Sequence, residues 1–239
     1  MIEQQVASKI RKCIPRDFLI DLLDDHDTAF RQASLATADL GLEKRRRIRA
    51  AGWTRFELLE QGMSNLCDLY GGFALPDGVL PGTELRLFND CYVFGDVLLG
   101  RASMVEAGSL PKKNLTRSRA STLNRFRQTT FLEPEASTGA KAPTVFVLIL
   151  SSRDFSDLSK PGEIAVAVIE DGYNQFSMYQ RLEDFIASYD DMTSADDVLG
   201  PGQPEAAIDP VQLVKPKARP IPFNPYPKRD AEADDGKGD

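Results

Sequence analysis

An α+β fold, helices first and a mainly antiparallel sheet after them, follows from three features of the chain. Apolar residues recur at helical spacing through the first 70 positions, runs rich in β-branched residues dominate between about 85 and 180, and turns rich in Gly, Pro and Asp separate those runs. The chain is read as a helical region over 1–70 and a β-rich region over 71–189 packed with it as one domain, followed by a tail over 190–239.

Pro15 sits where a helix starts, and Phe18, Leu19, Leu22 and Leu23 follow at amphipathic spacing with Asp21, Asp24 and Asp25 on the wet side. Asp27 is an N-cap candidate for a second helix. Its Ala29, Ala33, Ala36 and Leu40 form a stripe small enough for close helix packing. Gly52 then interrupts, and Thr54 with Glu57 fits a capping box opening a further helix that Gly62 ends, with Ser64 capping one more turn.

After Gly71-Gly72 the pattern becomes extended. Leu85 and Leu87 alternate with Arg86 before an Asn89-Asp90 turn and a second apolar run from Cys91 to Leu99, which predicts a strand pair. Thr144–Ser151 and Glu163–Glu170 are apolar on both faces and predict central strands covered on two sides. Asp171-Gly172 predicts a hairpin turn into a strand over Gln175–Tyr179. Leu182, Phe185, Ile186 and Tyr189 then recur as in a closing helix that covers one face of the sheet.

Apolar residues make up 42% of the 239 and charged ones 27%, an ordinary globular balance, and no stretch approaches the roughly 18 apolar residues of a membrane span. The first residues carry no recognisable secretory signal, so the expected location is the cytoplasm. Cys13, Cys67 and Cys91 are odd in number and far apart, which argues for reduced, mostly buried thiols rather than a disulfide framework or a zinc site. Residues 189–239 hold 6 basic and 11 acidic side chains, and eight of the 15 prolines lie between Pro201 and Pro227. Such a composition buries too little apolar area to offset chain entropy and predicts a disordered, acidic, Pro-rich tail. The tail offers a self-inhibiting acidic end at 230–239 and an Arg-x-x-Pro-x-x-Pro form from Arg219 to Pro225, each with a simpler account as solubilising or chance sequence.

Chemistry that most enzymes need is missing. With one histidine, acyl transfer through a Ser-His-Asp or Cys-His arrangement would have to recruit His26, and no Gly-x-Ser-x-Gly elbow occurs. Neither a Gly-x-x-x-x-Gly-Lys-Ser/Thr loop nor a Gly-x-Gly-x-x-Gly turn is found, so no nucleotide cofactor, and no other cofactor or metal, is implied. His26, set among Asp24, Asp25 and Asp27, reads either as a pH-sensitive or metal-binding group or, more simply, as a solvated histidine in an acidic helix start. Asp154, Glu163, Glu170, Asp171 and Lys160 could serve metal-assisted phosphodiester cleavage, but turn-stabilising roles account for them without it.

Positive charge is the unusual feature. No acid occurs from Ala107 to Leu132, where Lys112, Lys113, Arg117, Arg119, Arg125 and Arg127 alternate with Asn114, Thr116, Ser118, Ser121, Thr122, Asn124 and Gln128, and Phe126 lies between two arginines. Hydrogen-bond donors and an aromatic between cations suit phosphates and a stacked base, although a solvated polar loop has the same composition. Lys44, Arg45, Arg46, Arg47, Arg49 and Arg55 form a second cluster around Trp53, placed at the end of the long helix where the macrodipole alone favours cations. The leading expectation is a non-enzymatic protein that binds a polyanion, DNA or RNA first, through Lys112–Arg127 with help from Arg45, Arg46 and Arg47. It requires the two segments to converge. An adaptor or inhibitor module meeting an acidic protein is the second expectation, and a metal-dependent phosphodiesterase the third. No membrane partner is expected.

Overall fold

The computed structural model describes residues 2–79, 86–87, 89–125 and 143–190. Three helices come first: α1 (Ile2–Cys13), α2 (Arg16–Ala38) and α3 (Lys44–Leu69). Pro15 stands at the N-cap of α2, where its missing amide proton is no loss and its φ of −63° leads into the helix. Helix α2 runs unbroken through Asp27, so the expected break there does not occur. Helix α3 likewise passes through Gly52 and Gly62 rather than starting at Thr54 and stopping at Gly62.

Gly62 instead answers a tertiary need. A Cβ at that position would collide with the carboxylate of Asp25 on α2, so only glycine leaves room for that group between the paired helices. Helices α2 and α3 form an antiparallel hairpin whose inner contact includes Ala29, Phe30 and Leu59.

The sheet has six strands in sequence order: β1 (Phe73–Ala74), β2 (Tyr92–Phe94), β3 (Val97–Ser103), β4 (Val145–Arg153), β5 (Pro161–Ile169) and β6 (Phe176–Arg181). All neighbours are antiparallel except β3 and β4, which run parallel from Val97↔Val145 to Ser103↔Ser151. A parallel pair needs a long crossover. The chain between them supplies it and carries helix α4 (Leu115–Ala120) and a 3-10 turn (Ser121–Asn124).

The expected central strands are present, and eight consecutive residues of β4, Val145 to Ser152, are buried. The expected strand pair is shifted. Arg86 makes an isolated bridge to Val79, and the tight hairpin lies at Gly95-Asp96, between β2 and β3. Gly95 takes φ +53° there, a value that favours glycine.

Period-two alternation sorts the sheet into two buried faces. On the first, Val97, Leu99, Val147, Ile149, Val166 and Val168 meet α1, α2, the C-terminal half of α3 and α5 (Leu182–Ala187). On the second, Leu98, Phe146, Leu148, Ala165 and Ala167 meet Ala120 of α4, Leu123 and Tyr173. The closing helix α5 covers the first face with Leu182, Phe185 and Ile186, as its spacing predicts. No described helix is long and apolar enough to cross a membrane. The expected tail, 190–239, lies outside the described residues except for Asp190.

Candidate nucleic-acid interface

The basic run Lys44–Arg49 begins α3 and does not end a helix. From Lys44 to Phe56 there are six cations and no acid. Lys44, Arg45, Arg46, Arg47 and Arg49 are exposed, and none is paired with a carboxylate among the described residues. The macrodipole account expected of them is therefore reversed. A helix N-terminus carries partial positive charge and disfavours cations there by about 0.3–1 kcal/mol each at low salt. The first turn of α3 holds no acidic residue, and the single carboxylate of Glu43 at the N-cap faces five cations.

At 100° per residue, Arg45, Arg46, Arg49, Trp53 and Phe56 fall within one arc of about 100° on α3, so they form a single stripe. Trp53 is 68% exposed and Phe56 40%. Their ring centroids are 6.0 Å apart at an interplanar angle of 32°. The stripe ends against the sheet, where Arg101 of β3 lies 5.1 Å from the centroid of Phe56 and its Nη2 bonds Glu60 at 2.5 Å. Arg101 is nearly buried and holds the Phe56 ring from its inner side. On the other flank Arg55 lies 4.3 Å from the Phe30 centroid. Burial first, then the guanidinium groups of Arg153 and Arg101, push the Arg55 pKa down to about 10, so positive potential accumulates where the hairpin meets the ends of β3 and β4.

The second basic segment is differently placed. Helix α4 and its 3-10 turn lie on the second face of the sheet, whereas the C-terminal half of α3 packs on the first, so among the described residues the two basic segments are carried by elements on opposite faces. Nor are residues 111–125 a solvated loop, since Thr116, Ala120, Ser121 and Asn124 are buried. Four of the polar side chains expected to meet phosphate, Asn114, Ser121, Thr122 and Asn124, serve the backbone instead. Asn114 caps α4 by accepting from the Arg117 amide at 2.8 Å, and the Ser121 and Thr122 hydroxyls donate to the carbonyls of Ser118 and Arg119. Asn124 donates to the carbonyls of Phe146 and Ile169 at 3.0 and 2.7 Å and accepts from the Phe146 amide at 2.7 Å, tying the segment to β4 and β5.

Several cations there are also engaged. Arg117 donates to Tyr173 Oη at 3.2 Å and to the Lys112 carbonyl, Arg119 donates to the Arg86 carbonyl at 3.0 Å, and Arg125 pairs with Asp171 at 2.9 Å. Lys113 stands 5.6 Å from the Tyr173 ring centroid, while Lys112 is exposed. Phe126 and Arg127 lie outside the described residues.

The acidic candidates act in turns. Oδ1 of Asp154 accepts from the amides of Ser156 and Asp157 and the Ser156 hydroxyl, and Oδ1 of Asp157 accepts from the amide and hydroxyl of Ser159. Those hydrogen bonds hold both carboxyls below the usual range. Glu163 accepts from the Tyr179 hydroxyl and faces Arg181, and Glu170 accepts from the Gln175 amide. A cleft of about 520 Å³ lies beside Glu163, between α2 and the start of β5, with Asp24, Asp27, Arg31, Lys160 and Arg181 on its walls. Among the described residues no three His, Cys, Asp or Glu side chains gather as a metal would require.

The chain matches no known protein family, no curated protein and no solved structure.

His26 is not solvated. It is fully buried on α2, its Nδ1 donates to the Leu22 carbonyl at 2.8 Å, and its Nε2 has no hydrogen-bond partner among the described residues. Burial first, and the positive charge of Arg101, push its pKa down to about 4, so the ring is neutral. Asp25 beside it is raised by burial against the opposing pull of Arg101. Sequence reasoning named the cations around Trp53 but missed the pairing of Trp53 with Phe56. Their i, i+3 spacing, with Trp53 one turn after Arg49 and two after Arg46, is the signal that could have shown it.

Proposed function

We propose that this protein binds a polyanion, nucleic acid in the first instance, through the exposed stripe of α3 running from Arg45 to Phe56. One observation carries the proposal. Five cations in the first turns of α3, Lys44 to Arg49, stand exposed and without carboxylate partners among the described residues, at the helix end whose dipole opposes them. A bound phosphate chain relieves both the mutual repulsion and the dipole conflict. The second basic segment is left out of the site, because its described part, Lys112 to Arg125, is carried on the other face of the sheet and its described arginines are engaged within the fold. The net charge of −7 is compatible with binding when the cations are gathered on one helix.

The test is a filter-binding titration over a salt series. Contacts to about five phosphates predict a log–log slope near −4, and Arg46→Ala with Arg49→Ala should reduce the magnitude of that slope by about 2. Binding that ignores salt, or no binding at any salt, would remove the proposal. An acidic protein partner is the second reading, and exposed Leu35, Leu40 and Leu42 next to the cations are what favour it. It predicts a partner recovered with the intact chain after nuclease treatment and lost with the same double substitution.

A further inference from the structure

Resting on that reading, the geometry points to single-stranded nucleic acid as the ligand, with bases stacking on the Trp53–Phe56 pair while the phosphates follow Arg45, Arg46 and Arg49. Cations alone cannot distinguish a single strand from a duplex or an inorganic polyanion. The aromatic pair can. Trp53 is 68% exposed on the same arc as the arginines, a large apolar surface left wet at the end of a basic stripe. Phosphate has no use for such a surface, and a duplex hides its base faces in its own stack. An unpaired strand presents both the charge and the planar faces, and stacking on aromatic side chains is tolerant of sequence.

The platform is also held in place before any ligand arrives. Phe56 is fixed from beneath by Arg101, which is anchored in turn by Glu60, and Trp53 leans on Phe56 at 6.0 Å. From Arg45 to Phe56 the helix rises about 16 Å, which lets phosphate contacts and base stacking occur together along one strand. The first acid, Glu57, appears only one turn beyond Trp53, so the cationic track ends where the aromatic platform begins. The two rings therefore terminate the track and do not interrupt it.

The chain contains a single tryptophan, so intrinsic fluorescence reports on Trp53 alone. The full chain is titrated with a short oligothymidylate, with the same strand annealed to oligoadenylate, and with inorganic polyphosphate. Oligothymidylate should quench the emission saturably and bind most tightly, and polyphosphate should bind with little quenching. Measured by filter-binding competition, because either substitution removes the fluorophore, Trp53→Ala should weaken oligothymidylate by roughly tenfold or more while leaving polyphosphate unchanged, and Trp53→Phe should keep most of the affinity. Because Trp53 is exposed, both variants should fold, and circular dichroism checks it.

Oligothymidylate binding without quenching, equal affinity for the duplex, or equal losses for polyphosphate in Trp53→Ala would each overturn the stacking inference while leaving polyanion binding intact. A wild-type chain that sediments as a dimer and becomes monomeric in Trp53→Ala would overturn it in favour of self-association. If none of the three probes binds, the polyanion reading itself fails.

Discussion

At the scale of single residues, His26 shows how position on a stripe outranks local composition. Its neighbours Asp24, Asp25 and Asp27 suggest a wet site, yet Phe18, Leu22, His26, Ala29 and Ala33 recur at spacings of four, four, three and four, and the structure buries all five. The consequence is a pH dependence with a defined sign. Above pH 6.5 the ring is neutral whether the chain is folded or not. As pH falls, the unfolded chain takes up a proton that the folded chain refuses until about 4, so stability present above 6.5 is lost through that window. The loss attributable to His26 is about 3 kcal/mol. Urea denaturation between pH 7 and 4 should show His26→Gln lacking that component, and parallel profiles for the two chains would refute it. The raised carboxyl of Asp25 works in the opposite sense, since the folded chain then binds its proton more readily than the unfolded one.

Among the elements, the crossover between β3 and β4 is the one whose role changed most. Its polar and basic residues match a phosphate-binding strip in composition, and nothing in a one-dimensional pattern separates that from a segment fastened over a sheet. The hydrogen bonds of Asn124 decide it. Asn124→Ala would leave the buried Phe146 amide and two carbonyls short of partners, at a cost of about 2–4 kcal/mol. The drop should appear as a lower denaturation midpoint with little effect on polyanion affinity. A midpoint unchanged within error would show that water replaces the side chain. Tyr173 supports the same segment. Held at φ +58°, it donates to the Pro111 carbonyl at 3.3 Å and receives Arg117, so the β5–β6 turn clamps the start of α4.

Over the whole molecule, the sheet separates two basic surfaces that the sequence alone would combine. Arg46→Ala with Arg49→Ala should weaken polyanion binding by at least roughly tenfold at low salt, whereas Lys112→Ala with Lys113→Ala should leave it within about twofold. The same filter-binding titration reads both, and equal losses from the two pairs would mean that the faces act together. Helices before strands, the central pair β4–β5, the Asp171-Gly172 turn and the closing helix were legible, because apolar periodicity records which side of each element meets a core, whereas α1 and α4 were not read. The continuity of α2 and α3 was not legible either: Asp27 read locally as the start of a new helix, and Gly52 and Gly62 read as stops in α3, where tertiary packing overrides a propensity cost of about 1 kcal/mol per glycine.

What the chain determined by itself is therefore its class of fold and the existence of two clusters of cations. Only the tertiary structure decided which cluster has its described arginines engaged within the fold. The side of the sheet on which a segment lands depends on contacts between residues far apart in sequence, such as Asn124 with Ile169 and Arg101 with Phe56, and no local pattern records those.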